Sequence, residues 1–113
     1  MMIDKVMVKE SNDAELRRVI FERDKVIVKF TDVDCPVCKV MRPKYNMMSE
    51  EPAFKDIYFM RMSAHENPVS SQEVKLTGTP FFAIYHKGML IDCGILSTEE
   101  EVREMLQKLL LLS

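Results

Sequence analysis

The stretch DVDCPVCKVMRP, residues Asp32 to Pro43, places Cys35 and Cys38 two residues apart and continues into a segment with helical spacing. Cysteines so placed serve in a metal site, in a crosslink or as a redox couple, and each use makes its own demands on the rest of the chain. A structural zinc site needs two further ligands. The candidates are Cys93, His65 and His86, and they show none of the paired spacing such a site uses. No metal is therefore expected. A pair of inert core cysteines would satisfy the same spacing and remains a second bland reading. What favours the redox reading is the flanking sequence, because the pair falls where a strand passes into a helix.

Upstream, KVIVKFT from Lys25 to Thr31 is β-branched and mostly apolar, the pattern of a strand covered on both faces in a parallel sheet. Lys29 is its anomaly. Downstream, Pro36 suits a first helical turn, and Cys38, Met41, Tyr45 and Met48 recur at helical spacing to about Glu50. Pro43 removes a ladder hydrogen bond within that helix, so a bend is expected there.

Further out, Lys5 to Lys9 reads as a short strand. Ser11 or Asn12 caps a helix whose apolar stripe is Leu16, Val19 and Ile20. IYFMRMS from Ile57 to Ser63 is a third strand, and Asn67-Pro68 opens a short helix toward Leu76. Thr77-Gly78-Thr79-Pro80 leads into FFAIYH, and a tight Lys87-Gly88 turn makes a hairpin with MLIDC. Ser97 and Glu100 then form a capping box for a last helix with Val102, Met105, Leu106 and Leu109 inward. The order is βαβαβαββα, with neither linker nor repeat, and residues 1–113 form one domain.

With 113 residues, the chain is long enough to bury a core without staples. A net charge of −2, with bases scattered among acids, gives no footprint for nucleic acid. The longest apolar run, Leu109 to Leu112, is far short of a membrane span, and the first residues lack a secretory pattern, so no membrane association is expected. A cytoplasmic location and a monomer are the expectations. In that compartment a disulfide is more often catalytic than structural.

In sum, the apolar strand, Cys35-Pro36-Val37-Cys38, Pro43, Asn67-Pro68, Thr79-Pro80, the Lys87-Gly88 turn and Gly94 resemble the thioredoxin superfamily over nearly the whole chain. The resemblance implies an α/β thioredoxin fold with a central mixed sheet flanked by helices. It implies a thiol-disulfide oxidoreductase that reduces protein disulfides without a bound cofactor and is recycled by a thioredoxin-reductase-type donor. Cys35 would be the nucleophile and the more exposed sulfur, and Cys38 the resolving thiol. Pro80 would be a cis-proline that brings the Thr79 backbone to an extended substrate. Asp34, Pro36, Val37, Thr79, Cys93 and Gly94 would border the substrate groove. For Cys93 the readings are a third reactive thiol or a small packed residue.

The chain departs from the family pattern in three places. Asp34 stands where the family usually has tryptophan, close to Asp32. A helix dipole worth roughly 0.3–1 kcal/mol nearly cancels against a nearby solvated carboxylate at roughly 0.6 kcal/mol, so Cys35 is expected to titrate only modestly below a free cysteine. Lys29 replaces a buried carboxylate. It would tune Cys38, by stabilising its thiolate or by accepting its proton, unless its stem threads outward or it pairs with a carboxylate. The Pro-Val dipeptide resembles glutaredoxins, but the Gly-Gly and acidic turn that they use for glutathione is missing after Pro80. A glutathione-dependent oxidoreductase and a binding or adaptor module on the same fold are the alternative functions.

Overall fold

A computed structural model of the chain describes residues 7–113. Five strands, β1 (Lys9–Glu10), β2 (Lys25–Thr31), β3 (Tyr58–Ser63), β4 (Phe81–His86) and β5 (Met89–Ile95), form one sheet in the order β1-β3-β2-β4-β5. β1 and β2 run parallel to β3, while β4 is antiparallel to both β2 and β5. Four helices cover it: α1 (Asp13–Glu22), α2 (Pro36–Ser49), α3 (Pro68–Glu73) and α4 (Glu99–Leu110). The expected mixed sheet and element order hold. Lys5 and Val6 of the expected first strand lie outside the described residues.

Two apolar layers follow from strand alternation. Ile27, Phe59, Phe82 and Ile84 point to one face and pack under Met41, Tyr45 and Met48 of α2 and Val102, Leu106 and Leu109 of α4. Val26, Val28, Phe30, Met60 and Met62 point to the other and meet Leu16 and Val19 of α1. β2 is buried from Val26 through Phe30 because both layers cover it.

The β4–β5 turn takes Lys87 at φ 52° and Gly88 at φ 86°, the two positive values that a tight hairpin turn requires. Glycine suits the second position because it takes a positive φ without a Cβ clash, and a Cβ there would also push aside the exposed Phe21 ring, 2.5 Å away.

Helix ends depart from the sequence reading in two places. The last helix starts one residue later than expected: Thr98 is the cap and Glu101 its partner. SxxE and TxxE overlap at Ser97 and Thr98, and the Glu101 carboxylate accepts from both Ser97 N (2.9 Å) and Thr98 N (3.2 Å), which settles the register. Asn67 precedes α3 as expected, with Pro68 in its first turn, but its side chain does not cap α3. Asn67 Oδ1 instead accepts from Asp13 N at the start of α1 (2.9 Å), and Asp13 carboxylate oxygens accept from Val69 N (3.2 Å) and Ser70 N (2.8 Å) in α3. Each helix thus caps the other. Asn12 is the cap that α1 supplies for itself, accepting from Glu15 N at 2.9 Å.

Candidate active site

β2 ends at Thr31, and the loop of Asp32, Val33 and Asp34 carries the chain to Cys35, the N-cap of α2. Because Phe30 pairs with Phe81, Pro80 sits at the level of Thr31, so the β4 entrance and the Cys35 loop share one end of the sheet. β3 finishes at the same end, where Ala64 N donates to Thr31 O (2.8 Å). This end gathers the carboxyl ends of the parallel strands, where open α/β sheets form their sites.

Cys35 and Cys38 are joined by a disulfide, with their Cα atoms 5.2 Å apart. One helical turn separates them, which is the spacing at which two side chains share a helix face. Cys38 N donates to Cys35 Sγ at 3.1 Å. An oxygen normally takes that donor at a helix N-terminus, and here a sulfur does. Pro36 at the first position has no N–H to leave unpaired, and α2 continues without a break through Pro43. In the disulfide the two residues are nearly equally covered, with Cys35 at 6% and Cys38 at 5% exposure. The expected difference between them amounts to a single percentage point.

Around the pair, Asp32, Asp34, Pro36 and Val37 are exposed, and Val33 is 81% exposed. Thr79 is half-buried and Pro80 buried, and the Thr79–Pro80 peptide is cis. Leu96 N donates to Pro80 O (3.3 Å), which ties the end of β5 to this loop. Gly94 pairs with Phe82 on the α2 face, and a Cβ there would meet nothing within 4 Å. Cys93, its neighbour, turns to the opposite face, half-buried, with Sγ 3.6 Å from Val74 O. Burial, with the Asp92 carboxylate beside it, pushes its thiol above the ordinary range and so keeps it protonated.

Lys29 lies on the α2 side of β2 and is 1% exposed. It neither threads outward nor forms an ion pair among the described residues: Nζ lies 3.4 Å from Cys38 O and 5.5 Å from the centre of the Tyr45 ring. Burial, reinforced by the Arg61 and Arg42 guanidinium groups, lowers its pKa to about 8. Tyr45 is itself fully buried, and its hydroxyl donates to Met60 O at 2.8 Å. Arg61 and Arg42 were not singled out from sequence. Arg61 was within reach of the pattern, since it occupies the one charged position of FMRMS and pairs in register with Lys29.

The fold and the cysteine pair define a small α/β thiol-disulfide redox domain. Residues 6–109 match the thioredoxin family model. Similar relatives include mitochondrial thioredoxin-3 of Saccharomyces cerevisiae, 30% identical over 74% of this chain and 64% of that protein, and the thioredoxin of Geodia cydonium, 29% identical over 74% and 77%. The yeast match thus spans just under two thirds of its relative's length. Among solved structures, the oxidised crystal structure of the same yeast thioredoxin-3 superimposes with a TM-score of 0.82 at 25% identity, covering 90% of this chain and 95% of that one. Malassezia sympodialis thioredoxin gives 0.83 at 21% identity, over 96% and 98%, a likeness of fold. The chain belongs to the thioredoxin family. That family consists of thiol-disulfide oxidoreductases acting on protein disulfides, and Cys35 and Cys38 give this chain the redox centre of one.

Proposed function

We propose that the chain reduces protein disulfides, with Cys35 as the attacking thiol and Cys38 as the resolving thiol. The observation that carries this division of labour is the hydrogen bond from Cys38 N to Cys35 Sγ at the mouth of α2. A thiolate at that position accepts the same donor and faces the positive end of the helix dipole, whereas Cys38 lies a turn further in. Cys35 attacks the substrate disulfide, forming a mixed disulfide and releasing one substrate thiolate. Cys38 then attacks Cys35 Sγ, closing the intramolecular disulfide and releasing the second thiolate. The two electrons pass from the cysteine pair to the substrate.

The substrate segment is read as extended, pairing with the Thr79 backbone beside Pro80 and lying along Asp34, Pro36, Val37 and Gly94. Support comes from the open side of Gly94 and the exposed apolar rim of Val33, Val37 and Val40. The Asp32 and Asp34 carboxylates favour a cationic segment over glutathione, which carries carboxylates of its own. Cys93 borders this groove only through its backbone, because its side chain packs toward Val74. The chain works as a monomer recycled by a thioredoxin-reductase-type donor. A cytoplasmic, reducing setting fits the free Cys93 thiol beside a reversible pair.

Insulin reduction with dithiothreitol tests the reading. Turbidity that wild type accelerates and Cys35→Ser does not is the expected result, and no acceleration by wild type would refute it. Repeating the assay with glutathione alone should give little turnover.

A further inference from the structure

Lys29 is a buried cation that the exchange steps above do not use. β3, α2 and β4 place side chains beside it. β3 presents Arg61, whose guanidinium is taken by Glu10 (2.9 Å). α2 presents Arg42, Tyr45 and Cys38, and β4 presents Phe82. No carboxylate reaches Lys29 among the described residues, and its hydrogen-bond contact there is the Cys38 carbonyl. A buried lysine without a counter-ion is costly, so its surroundings suit it poorly in the disulfide state. The missing negative charge appears only when the disulfide opens. Reduction can place a thiolate on Cys38, the residue whose carbonyl Lys29 already holds.

We propose that Lys29 is a positioning residue for the thiol-disulfide exchange, holding the Cys38 sulfur as a thiolate by the positive charge that lies at the Cys38 carbonyl and thereby linking the redox state of the pair to protonation of a buried amine. The proposal rests on the exchange reading given above. In the mixed disulfide, the Cys38 thiol loses its proton to solvent water while Lys29 keeps its own. The thiolate attacks Cys35 Sγ, the bond from Cys35 to the substrate sulfur breaks, and the departing substrate thiolate takes a proton from solvent. The linkage is reciprocal: if the ammonium stabilises the thiolate, the thiolate stabilises the ammonium by the same factor. In the disulfide state nothing opposes the burial that lowers the amine to about 8. In the reduced state the thiolate opposes it.

Two measurements test this. With lysine side chains labelled with nitrogen-15, the Lys29 amine should titrate in reduced wild-type protein at a pH at least about one higher than in oxidised protein. Equal midpoints in the two redox states would overturn the proposal, and this readout needs no variant. The second uses a disulfide of thionitrobenzoate, which releases one chromophore when Cys35 attacks and a second when Cys38 resolves. At pH 7 the second release should be about tenfold slower in Lys29→Met than in wild type, with its pH profile moved to higher pH and Lys29→Arg recovering part of the rate. A Lys29→Met second release that matches wild type in rate and pH profile would also overturn it. If wild type itself never gives the second release, the exchange reading fails; if only the Lys29 comparison comes out equal, Lys29 alone is removed from it.

Discussion

The two faces of the sheet handle polar groups in opposite ways. On the α1/α3 face, the polar side chains between the two helices are paired. Asp13 and Asn67 cap each other's helices, and Asn67 Nδ2 also donates to Ser63 O (2.8 Å). The interior of that layer is Val, Phe, Met, Leu and Ala, together with Tyr85, a buried side chain that carries a polar group. On the α2/α4 face, a lysine lies under α2 with no counter-ion among the described residues, next to Tyr45 and Cys38. One face is built for cohesion. The other accepts a local energetic penalty where the chemistry takes place, which is how strain and desolvation are commonly distributed in enzymes.

Cys35 separates the two faces most decisively. Cys35→Ser should lower disulfide reduction by more than about a thousandfold, because a hydroxyl at neutral pH is no substitute for a thiolate. Its melting temperature should change far less than its activity. A parallel collapse in stability would mean that the pair is a structural staple and that both faces serve cohesion.

Lys29→Met carries the next largest effect, and its sign is unusual for a buried site. The folded-state pKa of about 8 lies below the ordinary lysine value of 10.5. Between those pH values the unfolded chain holds a proton that the folded chain does not, so the stability of wild type rises with pH across that window. Below it the full penalty applies. The methionine variant should therefore be more stable than wild type at pH 7, on the order of 2 kcal/mol, with the advantage shrinking toward pH 10. Urea titrations at the two pH values check this.

On the cohesive face the sign reverses. Asp13→Ala removes acceptors from Val69 N and Ser70 N and should cost about 1–2 kcal/mol while leaving insulin reduction unchanged. Burial raises the Asp13 pKa, but the Ser70 hydroxyl and N–H, Val69 N and Arg17 outweigh it, and the net pKa lies below the ordinary value. Its contribution is thus present above the unfolded aspartate pKa and is lost as the pH falls through the lower folded value. On the other face but away from the cysteines, Thr98→Ala, which opens the cap of α4, should cost about 1 kcal/mol without touching activity. Smallest is Cys93→Ser, expected to shift stability by within about 0.5 kcal/mol and to leave turnover unaltered. A large loss of turnover there would place a third thiol in the site.

Much of this layout was legible beforehand, for identifiable reasons. KVIVKFT announces a doubly covered strand by its branching, and Gly88 between two apolar runs announces a turn because glycine takes a positive φ at no steric cost. The redox pair was legible from the position of Cys35 and Cys38 between that strand and Pro36. What escaped was whatever depends on contacts across the chain. A cap can be read from sequence only within a few residues of its helix, so the exchange between Asp13 and Asn67, far apart in sequence, has no local signature. The fate of Lys29 depended on whether a carboxylate reached it, and only the sheet register shows that its neighbours are Arg61 and Phe82. The α4 boundary slipped by one because two overlapping tetrapeptides met the same rule.

The mutual caps of α1 and α3 carry a consequence for how the molecule opens. α3 has six residues, too few to persist as an isolated helix in water. With the Asp13 carboxylate on its first turn and its own Asn67 on the first turn of α1, neither helix can fray at that end without exposing donors of the other. Amide hydrogen exchange at Asp13 and Ser70 should therefore proceed at matching rates, as a single cooperative unit, despite the span of chain between them.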